Sequence, residues 1–235
     1  MRTEKKLLVL RQTLIGLGFN NALRALEFAR KYHVGVRKDG ITAEFDHQLS
    51  IALYVLTLPN LIHREAVIAA VLLHDISEDY HVSRSEIMGL FTDQVFAALV
   101  ANGVENVTKK FRGINKDEDV LFAQMSDCPI ASIVKPADRM HNLQTMVGVF
   151  TPAKQSDYCD FAEERVLPMV KVARRNFPEQ GMAYENMKHV ILSQIQLIRA
   201  IHAATKADVM PPAHTAWDRA PSARACPDGG ARPYW

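Results

Sequence analysis

Within six consecutive positions, His74, Asp75, Glu78 and Asp79 follow the apolar run Ala70-Val71-Leu72-Leu73. Residues four apart share a helix face, so the spacing aligns His74 with Glu78 and Asp75 with Asp79. Carboxylates at the end of a core helix are costly to bury unless a cation meets them. A divalent metal beside His74 and Asp75 would be such a partner. Two separated stretches extend the set: His47 at the start of one apolar periodic segment, and Asp138 within Lys135-Pro136-Ala137-Asp138-Arg139-Met140-His141-Asn142. Two imidazoles and two carboxylates make a mixed nitrogen and oxygen site suited to Mn, Fe, Zn or a similar divalent ion. Such an ion acidifies water and polarises a phosphoryl oxygen, which is what phosphoester hydrolysis needs at neutral pH. The ligands bind as neutral His and ionised Asp, so metal loading should fall as pH drops.

The elements that must position these residues read as helix after helix. Leu7, Leu8, Leu10 and Leu14 form a first stripe, and Asn20 or Asn21 caps a second helix carrying Ala22, Leu23, Leu26 and Ala29. Lys38-Asp39-Gly40 is a turn, and Asp46 is the expected cap of the helix that begins near His47. Glu65 to His74 is the central helix. Ser83 with Glu86 makes a capping box, and Thr92 or Asp93 opens the next helix. Residues 108–119 are polar enough for a solvated loop. Pro129 suits a first helical turn, with Ala137, Met140 and Leu143 continuing at helical spacing. A helix from Asp157 to Asn176 is disturbed at Pro168, and Tyr184 to Thr205 carries an amphipathic face. The expectation is an all-α domain over residues 1–205. From 206 to 235 a Pro/Ala/Arg-rich stretch with few aliphatic residues reads as a flexible tail.

Composition narrows the function classes. The chain has 235 residues, 48% of them hydrophobic, and a formal charge of +2, too near neutral to argue for nucleic acid or a membrane surface. Cys128, Cys159 and Cys226 form no CxxC pair, against a disulfide framework or thiolate zinc site and for a reducing compartment. No apolar stretch reaches membrane-spanning length, and Met1 to Leu10 lacks a signal-peptide core. A cytoplasmic protein is expected; its oligomeric state is not legible.

The order His47, His74-Asp75, Asp138 resembles the H…HD…D signature of the HD-domain phosphohydrolases. A narrower resemblance surrounds it. Arg37-Lys38-Asp39-Gly40 leading to His47 resembles the RKxG…H segment of the alarmone hydrolase domain in RelA/SpoT-type stringent-response enzymes. Leu73 to Asp79 resembles that family's LHDxxED, Asn106-Val107-Thr108-Lys109 its GVTK, and Val134 to Thr145 its VKLADRxHNxxT. Glu163 to Val170 is similar to its later ETxxxxxPLA helix, so the resemblance spans about residues 20–175.

The resemblance implies an HD-domain helical bundle with one Mn2+ held by His47, His74, Asp75 and Asp138. Glu78 and Asp79 would position or deprotonate the attacking water and manage the leaving group. Arg37 would pack on the nucleotide base, Lys38 would lie near phosphate, and Asn142, with Thr145 nearby, would bind the nucleotide. The implied reaction removes the 3′-diphosphate of (p)ppGpp, giving GDP or GTP and pyrophosphate, in a stand-alone form without a synthetase half. The family usually has a Tyr and a Pro close to the first metal His, where this chain reads Thr42-Ala43-Glu44-Phe45-Asp46-His47. That departure keeps a second substrate in view: an adenine alarmone, NADPH or a dNTP. A non-catalytic nucleotide sensor is the alternative outside enzymes. Arg139 is expected to be structural, salt-bridged to a carboxylate near the site rather than in contact with substrate, His33 to meet a backbone carbonyl, and His141 to pack or to line the pocket.

Overall fold

Every residue from Ala66 to Leu73 is buried, as an all-apolar helix must be. The remaining elements of the computed structural model, which describes residues 2–209, are arranged about that helix. In chain order they are α1 (Thr3–Gly16), α2 (Asn20–Tyr32), α3 (Asp46–Val55) and the central α4 (Arg64–Leu73). Then come α5 (Ile76–Tyr80), α6 (Arg84–Met88), α7 (Gln94–Val107), the strands β1 (Lys110–Phe111) and β2 (Ile114–Asn115), and α8 (Glu118–Ser126). The chain continues with α9 (Ala131–Thr145), α10 (Pro152–Phe161), α11 (Leu167–Asn176) and α12 (Gly181–Val209). The fold is an all-α bundle. Helices α2, α3, α7 and α9 pack directly on α4, so the two helices that bring His47 and Asp138 both lie against the one that ends at His74.

Local chemistry explains most of the boundaries. Ser83 and Glu86 form the expected reciprocal capping box, and Asp93 accepts from the amides of Val95 and Phe96. Neither Asn20 nor Asn21 caps α2. Glu65 of α4 does so instead, its Oε1 accepting from the Asn21 and Ala22 amides at 2.7 and 3.1 Å. Asp46 is likewise no cap. Its carboxylate is turned to Lys6 and Thr3 of α1, at 2.6 and 3.0 Å, which ties α1 to the start of α3.

The polar stretch after α7 is more ordered than expected. Arg112 and Gly113 both take positive φ, 49° and 87°, the pairing a tight hairpin turn requires, and β1 pairs with β2 across it. Asp117 then caps α8, which the polar composition had concealed. Thr151 caps α10 and Pro152 occupies its first turn, so that helix starts ahead of the expected Asp157. Pro168 disturbs the chain as expected, through a π-helical stretch over Ala162–Val166. No helix among the described residues is long and apolar enough to cross a membrane. The expected tail lies outside the described residues from 210 onward; α12 runs to Val209.

Candidate active site

His74 and Asp75 occupy the joint between α4 and α5, where the helix axis breaks just after the core run ends. His47 comes from the first turn of α3 and Asp138 from the middle of α9. The four side chains converge. His74 Nε2 lies 3.0 Å from Asp75 Oδ2 and 3.8 Å from Asp138 Oδ1. His47 Nε2 lies 3.3 Å from Asp138 Oδ1 and 3.7 Å from Asp75 Oδ2. The ligand atoms of His47, His74 and Asp75 all fall within 4.8 Å of one another, a His-His-Asp cluster that could hold a metal ion.

Hydrogen bonds fix which nitrogen each imidazole offers. His74 Nδ1 is 2.8 Å from the Val71 carbonyl, which can only accept, so the proton sits on Nδ1. Nε2 is then left facing the carboxylates, buried and without a hydrogen-bond partner. His47 Nδ1 is 2.8 Å from His141 Nδ1, inside the protein. Burial, with the His47, Arg37 and Lys6 charges adding, depresses the His141 pKa to about 3. His141 is therefore a neutral acceptor, His47 donates from Nδ1, and His47 Nε2 is free for the cluster. Orientation of a ligating imidazole by a bond to its other nitrogen is the rule at metal sites. A buried, partnerless imidazole nitrogen beside two carboxylates fits a divalent cation.

The electrostatics fit as well. Burial opposes a charge on His74, but Asp75 and Asp138 overcome it and hold its pKa well above the usual value. Burial would raise Asp75, yet the His74 imidazole brings it to about 2. Burial would also raise Asp138, but Lys135, whose Nζ is 3.2 Å away, and the two imidazoles keep it well below the carboxylate range. His47 is pushed down by burial. Two ionised carboxylates thus demand positive charge. A divalent cation, or a proton on His74 Nε2 3.0 Å from Asp75 Oδ2, would supply it.

The cluster forms the floor of a cleft of about 550 Å3. Arg37, Lys38, Glu78, Asp79, Asn142 and Thr145 line it together with His47, His74, Asp75 and Asp138, whereas His33 does not. The two acidic residues after the cluster differ. Glu78 Oε2 accepts from the amides of Lys109 and Lys110 at 3.0 and 3.4 Å, fastening the stretch before β1 to α5. Asp79 opens onto the cleft, and burial, reinforced by the Asp75, Glu78 and Glu44 charges, pushes its pKa up to about 6. Arg37 donates to Asn142 Oδ1 at 3.3 Å, and Asn142 Nδ2 donates to Asp138 Oδ1 at 2.6 Å, linking the basic loop to the cluster. Lys38 Nζ stands 5.4 Å from the Phe150 ring centroid. Thr145 donates to the His141 carbonyl.

Two expectations change. Arg139 forms no salt bridge among the described residues; its guanidinium lies over the Tyr158 and Phe161 rings. His33 bonds Glu44 Oε1 at 3.2 Å rather than a backbone carbonyl. Glu44 itself is pinned, accepting from the Tyr80 hydroxyl at 2.8 Å on each oxygen and from the Gly35 amide at 3.3 Å. No local pattern announces the Tyr80–Glu44 pair, because its members are 36 positions apart. The role of His141 was half legible, since it sits one turn beyond Asp138 on α9.

Fold and site together define a helical protein with a metal-competent His-His-Asp cluster in a cleft lined by both basic and acidic side chains. No protein-family model matches the chain. Among curated proteins it is similar to the guanosine-3′,5′-bis(diphosphate) 3′-pyrophosphohydrolase of Borreliella burgdorferi, 26% identical over 156 residues, covering 65% of this chain and 22% of that protein. It is also similar to the probable guanosine-3′,5′-bis(diphosphate) 3′-pyrophosphohydrolase of Synechocystis, 33% identical over 140 residues, 56% of this chain and 17% of the relative. The GTP pyrophosphokinase rsh of Brucella ovis is 33% identical over 147 residues, 58% of this chain and 18% of the relative. The chain thus spans about a fifth of the length of the curated relatives it matches.

Proposed function

We propose that this chain is an HD-type, metal-dependent phosphohydrolase that removes the 3′-diphosphate of (p)ppGpp, yielding GDP or GTP and pyrophosphate. The observation that carries the reading is the convergence of His47, His74, Asp75 and Asp138, with His74 Nε2 buried and unpartnered at their centre. Those four would hold the metal, with Mn2+ the expected ion. When bound, it would supply Lewis acidity to a phosphoryl oxygen and to water.

The chain's own groups account for the rest. Asp79, with a pKa near 6, is ionised at neutral pH and basic enough to take the proton of the attacking water. That water adds to the phosphorus joined to the 3′-oxygen. The P–O3′ bond breaks, and the ribose oxygen leaves as the 3′-hydroxyl, taking the proton that Asp79 received from the water. Glu78 keeps Lys109 at the cleft wall through the backbone bonds it accepts, and its charge helps raise Asp79. Lys38 and Lys109 supply positive charge for the phosphates, and Arg37 and Asn142 shape the nucleotide side. Relatives' names include both a hydrolase and a pyrophosphokinase. The raised Asp79 beside metal-competent ligands favours hydrolysis. Asp79→Asn is the test: it should keep metal content and ppGpp binding while turnover falls by about 100-fold or more. Undiminished turnover in that variant would refute the assignment of the base.

A further inference from the structure

Arg139 follows Asp138 on α9, but one step along a helix turns a side chain by about 100°. Asp138 faces the His47 and His74 imidazoles, whereas Arg139 is carried toward α10. There its guanidinium carbon lies 4.6 Å from the Tyr158 ring centroid and 4.7 Å from that of Phe161. Arginine stays charged at any working pH, and this one is only 9% exposed. Among the described residues it makes no ion pair, and its buried Nε has no hydrogen-bond partner. Contacts with aromatic faces stabilise the cation without neutralising it. They leave the N–H donors, which lie in the guanidinium plane, unused.

Arg139 also lines the cleft, on the side walled by Tyr158 and Phe150, whose rings are 5.4 Å apart. A planar fork of donors with no carboxylate inside the protein matches an anion brought by a ligand, and phosphate is the group such a fork binds bidentately. We propose that Arg139 receives a phosphate of the bound nucleotide other than the one presented to the metal cluster. It thereby selects ligands phosphorylated at two positions. This rests on the nucleotide reading above and extends it to the second phosphate-bearing end. A purely structural arginine would use its donors on the protein; here, among the described residues, none of them has a partner, and the residue lines the cleft.

The test is calorimetric binding of guanosine and of GDP to the full chain, in the wild type, Arg139→Gln and Arg139→Lys, with circular dichroism and metal content as checks of folding. The wild type should bind GDP more tightly than guanosine. Arg139→Gln should remove on the order of 10- to 100-fold of that preference without changing guanosine affinity, and Arg139→Lys should recover part of it. A preference intact in Arg139→Gln, or equal weakening of both ligands, would overturn the proposal. If the wild type shows the Arg139-dependent preference but releases no pyrophosphate from ppGpp, the hydrolase reading fails alone. If neither guanosine nor GDP binds, adenosine and ADP replace them, and lack of an Arg139-dependent preference in that pair too overturns the proposal.

Discussion

Replacing His141 with Leu should weaken metal binding although His141 is not a candidate ligand. The 2.8 Å bond between His141 Nδ1 and His47 Nδ1 fixes the tautomer in which His47 Nε2 faces the cluster. Both rings are buried, at 6% and 3% exposure, so water cannot replace the lost acceptor. A buried N–H left without a partner costs about 1–3 kcal/mol, or roughly 5- to 150-fold in affinity. Loss of a similar outer contact at other metal sites costs about 10–100-fold, the same range. His141→Asn separates chemistry from packing, because its amide oxygen can take the position of the imidazole Nδ1. Mn2+ affinity, measured by competition with a chelating dye, should fall about 10–100-fold in the Leu variant and recover in the Asn variant. Unchanged affinity in a folded His141→Leu protein would refute the reasoning, as would an Asn variant no better than Leu.

Three further outcomes follow from the same geometry. The raised pKa of His74 means that metal must displace a proton; apparent Mn2+ affinity should therefore drop up to about tenfold per pH unit on acidification, whereas a pH-independent affinity would contradict the proton assignment. Asp79 has a folded pKa above its unfolded one, so it favours folding below about pH 4 and that contribution is lost as pH rises through about 6. Asp79→Asn should accordingly raise the melting temperature at pH 8 and not at pH 4, in thermal scans of metal-free protein. A Cβ added at Gly103 would stand 2.5 Å from Ile130 Cγ2 where α7 meets the start of α9. Gly103→Ala should cost about 1–3 kcal/mol in urea unfolding, and a neutral result would mean that Ile130 can shift.

The parts of this protein that the sequence announces are those encoded by contiguous pattern. The apolar run into His74 predicts a buried helix, Ser83 and Glu86 predict a capping box, and both are present. His47, His74, Asp75 and Asp138 meet because their helices are neighbours, which the ordered motifs suggested. What stayed hidden depends on contacts between distant positions. Glu65 caps a helix some forty positions earlier, 43 and 44 residues away. Asp46 looked like a cap and serves instead as an anchor for Lys6. The hairpin at Arg112 and Gly113 was masked by charge, because polarity does not distinguish a loop from two short solvated strands. Arg139 shows the same limit, since an arginine next to Asp138 in sequence gave no sign of the rings of Tyr158 and Phe161 that it meets.

The central claim is that this cleft hydrolyses the 3′-diphosphate of ppGpp with a metal held by the four converging residues. Phosphorus NMR of ppGpp incubated with Mn-loaded protein, with products separated after chelation, tests it most directly. The account predicts stoichiometric GDP and pyrophosphate, and neither from Asp138→Ala. Intact ppGpp with folded, metal-bearing protein, or release of single phosphates in place of pyrophosphate, would contradict it.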